Sequence, residues 1–257
     1  MSDVLQTEVY RDRLSVTLNR PDVHNALDAE LIDAVGQVFR QAAGLDKIRY
    51  VVLEGAGPSF CAGADLNWMR DGINATFEEN RAGAGQLAAV LDAIVACPKA
   101  VIASVHGSAL GGGLGFVAAC DLAVATPDAM FGLTEVRLGL VPAMVFPYLL
   151  RKVARHHLLA AALTGERFGA ARALELGLIN EIDENREATI AAWAQSLEAA
   201  GPVAVARVKE LFHKVPQLSW EAARAYTVDL IARVRTGSEA QEGMRAFLDK
   251  QRPPWQR

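Results

Sequence analysis

Alternating apolar and polar positions at the start of the chain predict two short strands, Val4 to Tyr10 and Leu14 to Leu18, around a polar turn at Arg11 to Arg13. The stretch NRPDVHNALD has no such period and reads as a loop. From Asp28 the period changes, and Leu31, Ile32, Val35, Val38 and Phe39 recur at helical spacing. Tyr50 to Leu53 is a short apolar run, the pattern of a buried strand, and GAGPSFCAGAD follows it as a Gly-rich connection. The same order then returns: a strand from Ala100 to Val105, the loop HGSALGGG, and a helix of small residues from Leu114 to Ala119. Asp121 to Ala125 and Met130 to Phe131 are further strands, and from Pro142 onward helical patterns alternate with polar or Gly breaks. The pattern predicts an α/β protein with a strand-rich first half and a helical second half. It shows no low-complexity linker and no sequence repeat strong enough to set a period.

A chain of 257 residues is long enough for one substantial core plus a helical tail. With 51% hydrophobic and 22% charged residues it has the make-up of an ordered globular protein. The net charge of -4 argues against nonspecific binding to nucleic acid. Cys61, Cys97 and Cys120 are odd in number and lack metal-ligand spacing, which points to a reducing compartment, no disulfide framework and no metal site. The opening MSDVLQTEVYRDR has neither a long apolar run nor a cleavage pattern, and the apolar segments elsewhere are interrupted. The expectation is a cytoplasmic protein without a membrane span.

The two Gly-rich connections carry the first chemical signal. Backbone N–H groups at a strand-to-helix turn can converge on a developing negative charge, and glycine lets a ligand approach them closely. The amide next to Ala64 is a candidate partner donor. SALGGGLG lacks the G-x-G-x-x-G spacing and a suitably placed acidic residue, so it is not a dinucleotide fingerprint; no Gly-Lys-Ser/Thr follows the glycines, so it is not a P-loop.

In order along the chain, NRPDVHNAL, FCAGADL, HGSALGGG, ACDLAVAT, FGLTEVRLGLVP and LTGERFGAARALELGLIN resemble the enoyl-CoA hydratase/isomerase (crotonase) superfamily. The resemblance implies a crotonase-like spiral of ββα units over residues 1–195, with a helical trimerisation region over residues 196–257. It also implies a homotrimer or a homohexamer built as a dimer of trimers. Carried onto matching positions, it makes Ala64 and Gly112 the donors of two amides that hold a thioester oxygen as enolate character develops. It places Ala26, Ala62 and Leu66 along the groove for coenzyme A. Phe247 and Lys250, in AFLDK, become contacts for the CoA nucleotide of a neighbouring subunit, on one face of a C-terminal helix by their spacing of three. No cofactor is implied beyond the CoA carried by the substrate.

Hydratases of this family with two glutamates have the first two residues after GGG; here that position is Gly115, and the second is Glu135. The resemblance therefore makes Glu135 the main acid/base, with its pKa raised by apolar neighbours. Asp65 reads as a helix cap, His106 as a structural histidine, and Cys61 and Cys120 as small buried residues. FCAGADLNWM, GGGLGF and TEVRLGLVPAMVFPYLL look most like the methylglutaconyl-CoA or γ-carboxygeranoyl-CoA hydratase branch. The leading expectation is a lyase adding water to an α,β-unsaturated acyl-CoA. The alternatives are a Δ3,Δ2-enoyl-CoA isomerase using one glutamate and a noncatalytic acyl-CoA or RNA-binding protein. The distal acyl pocket is expected from the stretch Asn67 to Arg81 and later helices, with Arg70, Arg81 and Arg137 as candidate partners for a distal carboxylate.

Overall fold

Strand β1 (Leu5–Tyr10) pairs antiparallel with β2 (Arg13–Leu18), and from β2 onward every pairing in the main sheet is parallel. The computed structural model describes residues 3–256. Asp28 starts α1 (Ala29–Ala42) by accepting the Leu31 amide at 2.8 Å, a cap worth about 1 kcal/mol. The predicted face of α1 is buried at Leu31, Ile32, Val35 and Phe39. Then come β3 (Tyr50–Gly55), α2 (Leu66–Gly72) and α3 (Phe77–Ala96), the last opened by a capping box between Thr76 and Glu79.

The next stretch is largely buried. It comprises β4 (Ala100–Val105), β5 (Ser108–Leu110), α4 (Gly112–Ala119), β6 (Leu122–Ala125) and β7 (Met130–Gly132). All six residues of β4 are buried. A 3-10 turn over Thr134–Leu138 follows, then α5 (Phe146–Leu149), α6 (Arg155–Thr164), β8 (Arg167–Gly169), α7 (Ala170–Glu175) and β9 (Glu181–Ile182). The chain ends with α8 (Arg186–Ala199), α9 (Pro202–Lys214), α10 (Trp220–Thr236) and α11 (Ser238–Leu248).

The main sheet runs β1-β2-β3-β4-β6-β9 and the smaller one β5-β7-β8. From β4 to β7 successive strands alternate between sheets: β4 and β6 lie in the first, β5 and β7 in the second. Isolated parallel bridges, Leu27 to Ala64 and Cys61 to Ala109, carry the smaller sheet's line of pairing back into the earlier turns. This is the spiral that the resemblance implies. Its repeat is one of topology, which explains why no repeat is visible in the residues.

Residues 195 and 196 lie inside α8, and the helix breaks at Ala200 and Gly201 before Pro202 starts α9. The final helices bury little: no residue of α9, Leu230 of α10 and Ala246 of α11. No helix among the described residues is long and apolar enough to cross a membrane.

Candidate active site

The two Gly-rich loops meet at Gly63 and Gly111. Each has a positive φ, 98° and 50°, a backbone conformation that favours glycine, and the Cα of each lies 4.0 Å from where the other's Cβ would stand. Ladder bonds set the alignment: Cys61 donates to Ser108 at 2.9 Å, Leu110 donates back to Cys61 at 3.0 Å, and Gly111 donates to Gly132 at 3.0 Å. Immediately after the two glycines come Ala64, exposed, and Gly112, the first residue of α4. Among the described residues neither of these amides hydrogen-bonds to a protein acceptor. A Cβ on Gly112 would fall 2.6 Å from Leu27 Cδ1, so that side of the turn is closed by apolar packing.

Glu135 reaches the same seam from the 3-10 turn. Its Oε1 is 3.2 Å from the place a Gly111 Cβ would take. Its Oε2 is buried and has no hydrogen-bond partner. Burial pushes the carboxyl's pKa up, against a smaller opposing pull from the residue's own backbone N–H. The turn is closed by Gly139, whose left-handed backbone (φ 75°) lets its amide donate back to the Glu135 carbonyl. A carboxylate with one unpartnered, buried oxygen thus lies at the seam where the unbonded amides of Ala64 and Gly112 follow the two loop glycines.

The chain matches the enoyl-CoA hydratase/isomerase family over residues 11–257. It belongs to that family. It is 34% identical over 241 residues to a Thermus thermophilus protein named provisionally as an enoyl-CoA hydratase, spanning 93% of this chain and 95% of that one. It is 32% identical over 247 residues to the mevalonyl-coenzyme A hydratase sidH of Aspergillus fumigatus, spanning 94% and 90%. An enoyl-CoA hydratase structure from Shewanella pealeana superposes with a TM-score of 0.95 at 35% identity, covering 98% of this chain and 96% of that chain. The protein is an enoyl-CoA hydratase-like enzyme, which removes the noncatalytic reading.

Within this family member the position expected to lack a second glutamate is sterically closed. Gly115 is buried inside α4, and a Cβ on it would lie 2.5 Å from Val145 Cγ1 and 3.5 Å from Leu91 Cδ1. His106 has both ring nitrogens engaged: Nδ1 faces the Arg186 guanidinium at 3.2 Å, so Nε2 carries the proton donated to the Gly57 carbonyl at 2.8 Å. The three cysteines are free and buried, and burial pushes the Cys61 and Cys120 thiols up to about 12, far from thiolate chemistry.

Of the expected CoA-groove residues, Ala26 is buried and Ala62 half-buried at the seam, where the Ala62 amide donates to His24 at 2.9 Å; Leu66, first in α2, is exposed. Phe247 and Lys250 do not share a helical face. The helix α11 ends at Leu248, and Lys250 takes a left-handed backbone (φ 55°). Lys250 donates to Phe247 at 3.2 Å and Gln251 to Ala246 at 2.7 Å, the two bonds of a Schellman stop. Both side chains are exposed. Arg70 donates to Asn67, Arg81 faces Glu78 at 3.6 Å, and Arg137 packs by Gly165.

Arg20 escaped the sequence reading. It lies in the loop NRPDVHNALD and binds both Asp28 and Asp65, the caps of α1 and α2. The available signal was a single arginine ahead of two acidic helix caps, too common a pattern to stand out. Asp65 itself is the expected cap, accepting the Asn67 amide at 2.7 Å.

Proposed function

We propose that this enzyme adds water to an α,β-unsaturated acyl-CoA, with Glu135 as its sole acid/base residue and the amides of Ala64 and Gly112 holding the thioester oxygen. The observation that carries this reading is the buried, partnerless Oε2 of Glu135 beside Gly111. Glu135 takes a proton from water as the water oxygen bonds to Cβ. The electron pair of the double bond moves toward the thioester, whose oxygen gains charge held by the two amides. The protonated Glu135 then returns the proton to Cα, which restores the carboxylate.

CoA enters only as part of the substrate. Ala26, Ala62 and Leu66 flank its groove, while Phe247 and Lys250 meet the nucleotide of a neighbouring subunit. Assembly as a homotrimer, or a hexamer of two trimers, through residues 196–257 accounts for the thinly buried helices α9 to α11. Trp220, Val228 and Ile231 of α10 are 81%, 59% and 55% exposed, an apolar surface that a second copy would cover.

For the acyl group we propose a 3-methyl-branched, oxygenated chain of the 3-methylglutaconyl type. Kinship with a hydratase named for the mevalonyl group supports it. One observation favours a second reading: with Gly115 closed off by Val145, a single carboxylate suffices for Δ3,Δ2-enoyl-CoA isomerisation, in which it removes a proton and returns it. Incubation with 3-methylglutaconyl-CoA, crotonyl-CoA and a 3-enoyl-CoA separates these readings. Hydration of the first, faster than of the second, is expected; double-bond migration in the third without hydration of either would replace hydratase with isomerase.

A further inference from the structure

Behind Ala64 lies a charged cluster that takes no part in proton transfer. Arg20 Nη2 is 3.0 Å from Asp28 Oδ2 and 2.9 Å from Asp65 Oδ2, and Nη1 donates to the Ala26 carbonyl. Each carboxylate uses its other oxygen to cap a helix: Asp28 Oδ1 accepts from Leu31 at the start of α1, and Asp65 Oδ1 from Asn67 at the start of α2. Between the two caps run the bridged residues Leu27 and Ala64. Leu27 donates to the Gly63 carbonyl at 2.7 Å, and Asp65 donates to the Leu27 carbonyl at 3.0 Å. The Ala64 amide is thus held from the residue before it and the residue after it, both through the backbone of Leu27, and the next residue after each bridged one, Asp28 and Asp65, carries a carboxylate that Arg20 joins.

The loop that presents Arg20 is itself fixed. Its amide donates to Asn25 Oδ1 at 2.8 Å, and the fully buried Asn25 donates to the carbonyls of Ala56 and Ser59 at 2.8 and 2.7 Å. Burial would raise the Asp65 carboxyl, but the Asn67 amide and Arg20 together hold it below its ordinary value, so the pair is charged and charge-assisted.

We propose that Arg20 is a positioning residue for the Ala64 amide, one guanidinium setting the relative placement of two helix caps and so the direction of the N–H between them. The proposal rests on the oxyanion role given to Ala64 above. Two carboxylates and a carbonyl around one side chain require the planar fork of arginine; a lysine ammonium is a point charge on a flexible stem and does not reproduce that geometry. Because the amide acts on charge that grows along the reaction, its misplacement lowers kcat rather than substrate binding.

The experiment compares the parent enzyme with Arg20→Lys, Asp65→Asn, the double variant, and Asn185→Ala. The last loses an unrelated helix cap at α8 and serves as the stability control. Steady-state kinetics with crotonyl-CoA are read beside the near-ultraviolet enolate band of bound acetoacetyl-CoA, an enolisable thioester whose anion reports the oxyanion donors directly. Arg20→Lys is expected to lower kcat about ten- to a hundredfold, to change KM by no more than about twofold, and to weaken the enolate band. Asp65→Asn, which keeps a capping oxygen but loses the charge, should act in the same direction and carries the test if Arg20→Lys fails to fold. The double variant should be little worse than the worse single. Asn185→Ala should keep the parental kcat and band despite its lower Tm. Folded Arg20→Lys or Asp65→Asn with parental kcat and enolate band would overturn the positioning role, as would a loss confined to KM. Absence of the band in the parent would instead remove Ala64 as a donor, and the proposal with it.

Discussion

The Glu135 carboxylate rests against the backbone of Gly111, its Oε1 3.2 Å from the position a Cβ would occupy there. A carboxylate at the first turn of a helix is normally favoured in its charged form by the free amides and the helix dipole. Here burial prevails, and the net effect on Glu135 is upward.

Replacing Glu135 by Gln keeps size and hydrogen-bonding capacity and removes proton exchange. We expect kcat to fall by about two to four orders of magnitude with little change in the dissociation constant for crotonyl-CoA. The parent's kcat/KM should decline on the acid side at a pH above 4.5, the ordinary value for this side chain. Turnover close to parental in Glu135→Gln would direct attention away from this carboxylate.

The same substitution should stabilise the fold. A carboxyl whose folded-state pKa is raised binds more protons folded than unfolded, so its unfavourable contribution grows as pH rises through the folded value and is absent below the unfolded one. Glu135→Gln should therefore have a higher Tm than the parent at pH 7, with the difference vanishing toward pH 3. An equal or lower Tm at pH 7 would contradict a desolvated carboxylate.

Gly115 cannot take a side chain without moving Val145, 2.5 Å from its would-be Cβ. Ala is preferred over Gly in a helix by about 1 kcal/mol, but overpacking a stiff β-branched neighbour costs about 1–3 kcal/mol. Gly115→Ala should accordingly be neutral to destabilising in urea unfolding, and less destabilising in a Val145→Ala background. Gly115→Glu should lose stability without gaining hydratase activity, since its charge would enter apolar packing beside Leu91.

Lys250 offers a separation of structure from binding. Its left-handed backbone at the end of α11 costs a residue with a Cβ about 1 kcal/mol more than glycine. Lys250→Gly should raise Tm, while both Lys250→Gly and Lys250→Ala should raise KM for CoA thioesters more than they lower kcat, because phosphate binding is nearly equal in ground and transition states. Unchanged KM values would remove Lys250 from the nucleotide site.

What the sequence disclosed follows from how each signal arises. The strands β3 and β4 are short apolar runs because parallel strands are buried on both faces, and α1 shows a clean period because only one face is buried. The strands β5, β8 and β9 are two or three residues long and cannot express a period. Expecting Phe247 and Lys250 on one helical face failed because α11 stops on a non-glycine left-handed residue, where the usual glycine signal is missing. Glu135 is singled out by its segment and not by its local pattern, since its burial depends on contacts with residues far away in the chain. Arg20 was missed for the related reason that its two partners become neighbours only when the loops fold together.

Ala64, Gly112 and Glu135 sit on successive turns of the spiral, each turn pairing with the one before it. A chain emerging from the ribosome N-terminus first therefore presents its amide-bearing loops well before the segment Thr134–Leu138, and it lacks Val145 against α4 until later still. Crossover pairings of this kind close long loops and form slowly. Recovery of turnover after dilution from denaturant should consequently lag recovery of helical circular dichroism, making catalysis a clock for the docking of the last inner turn.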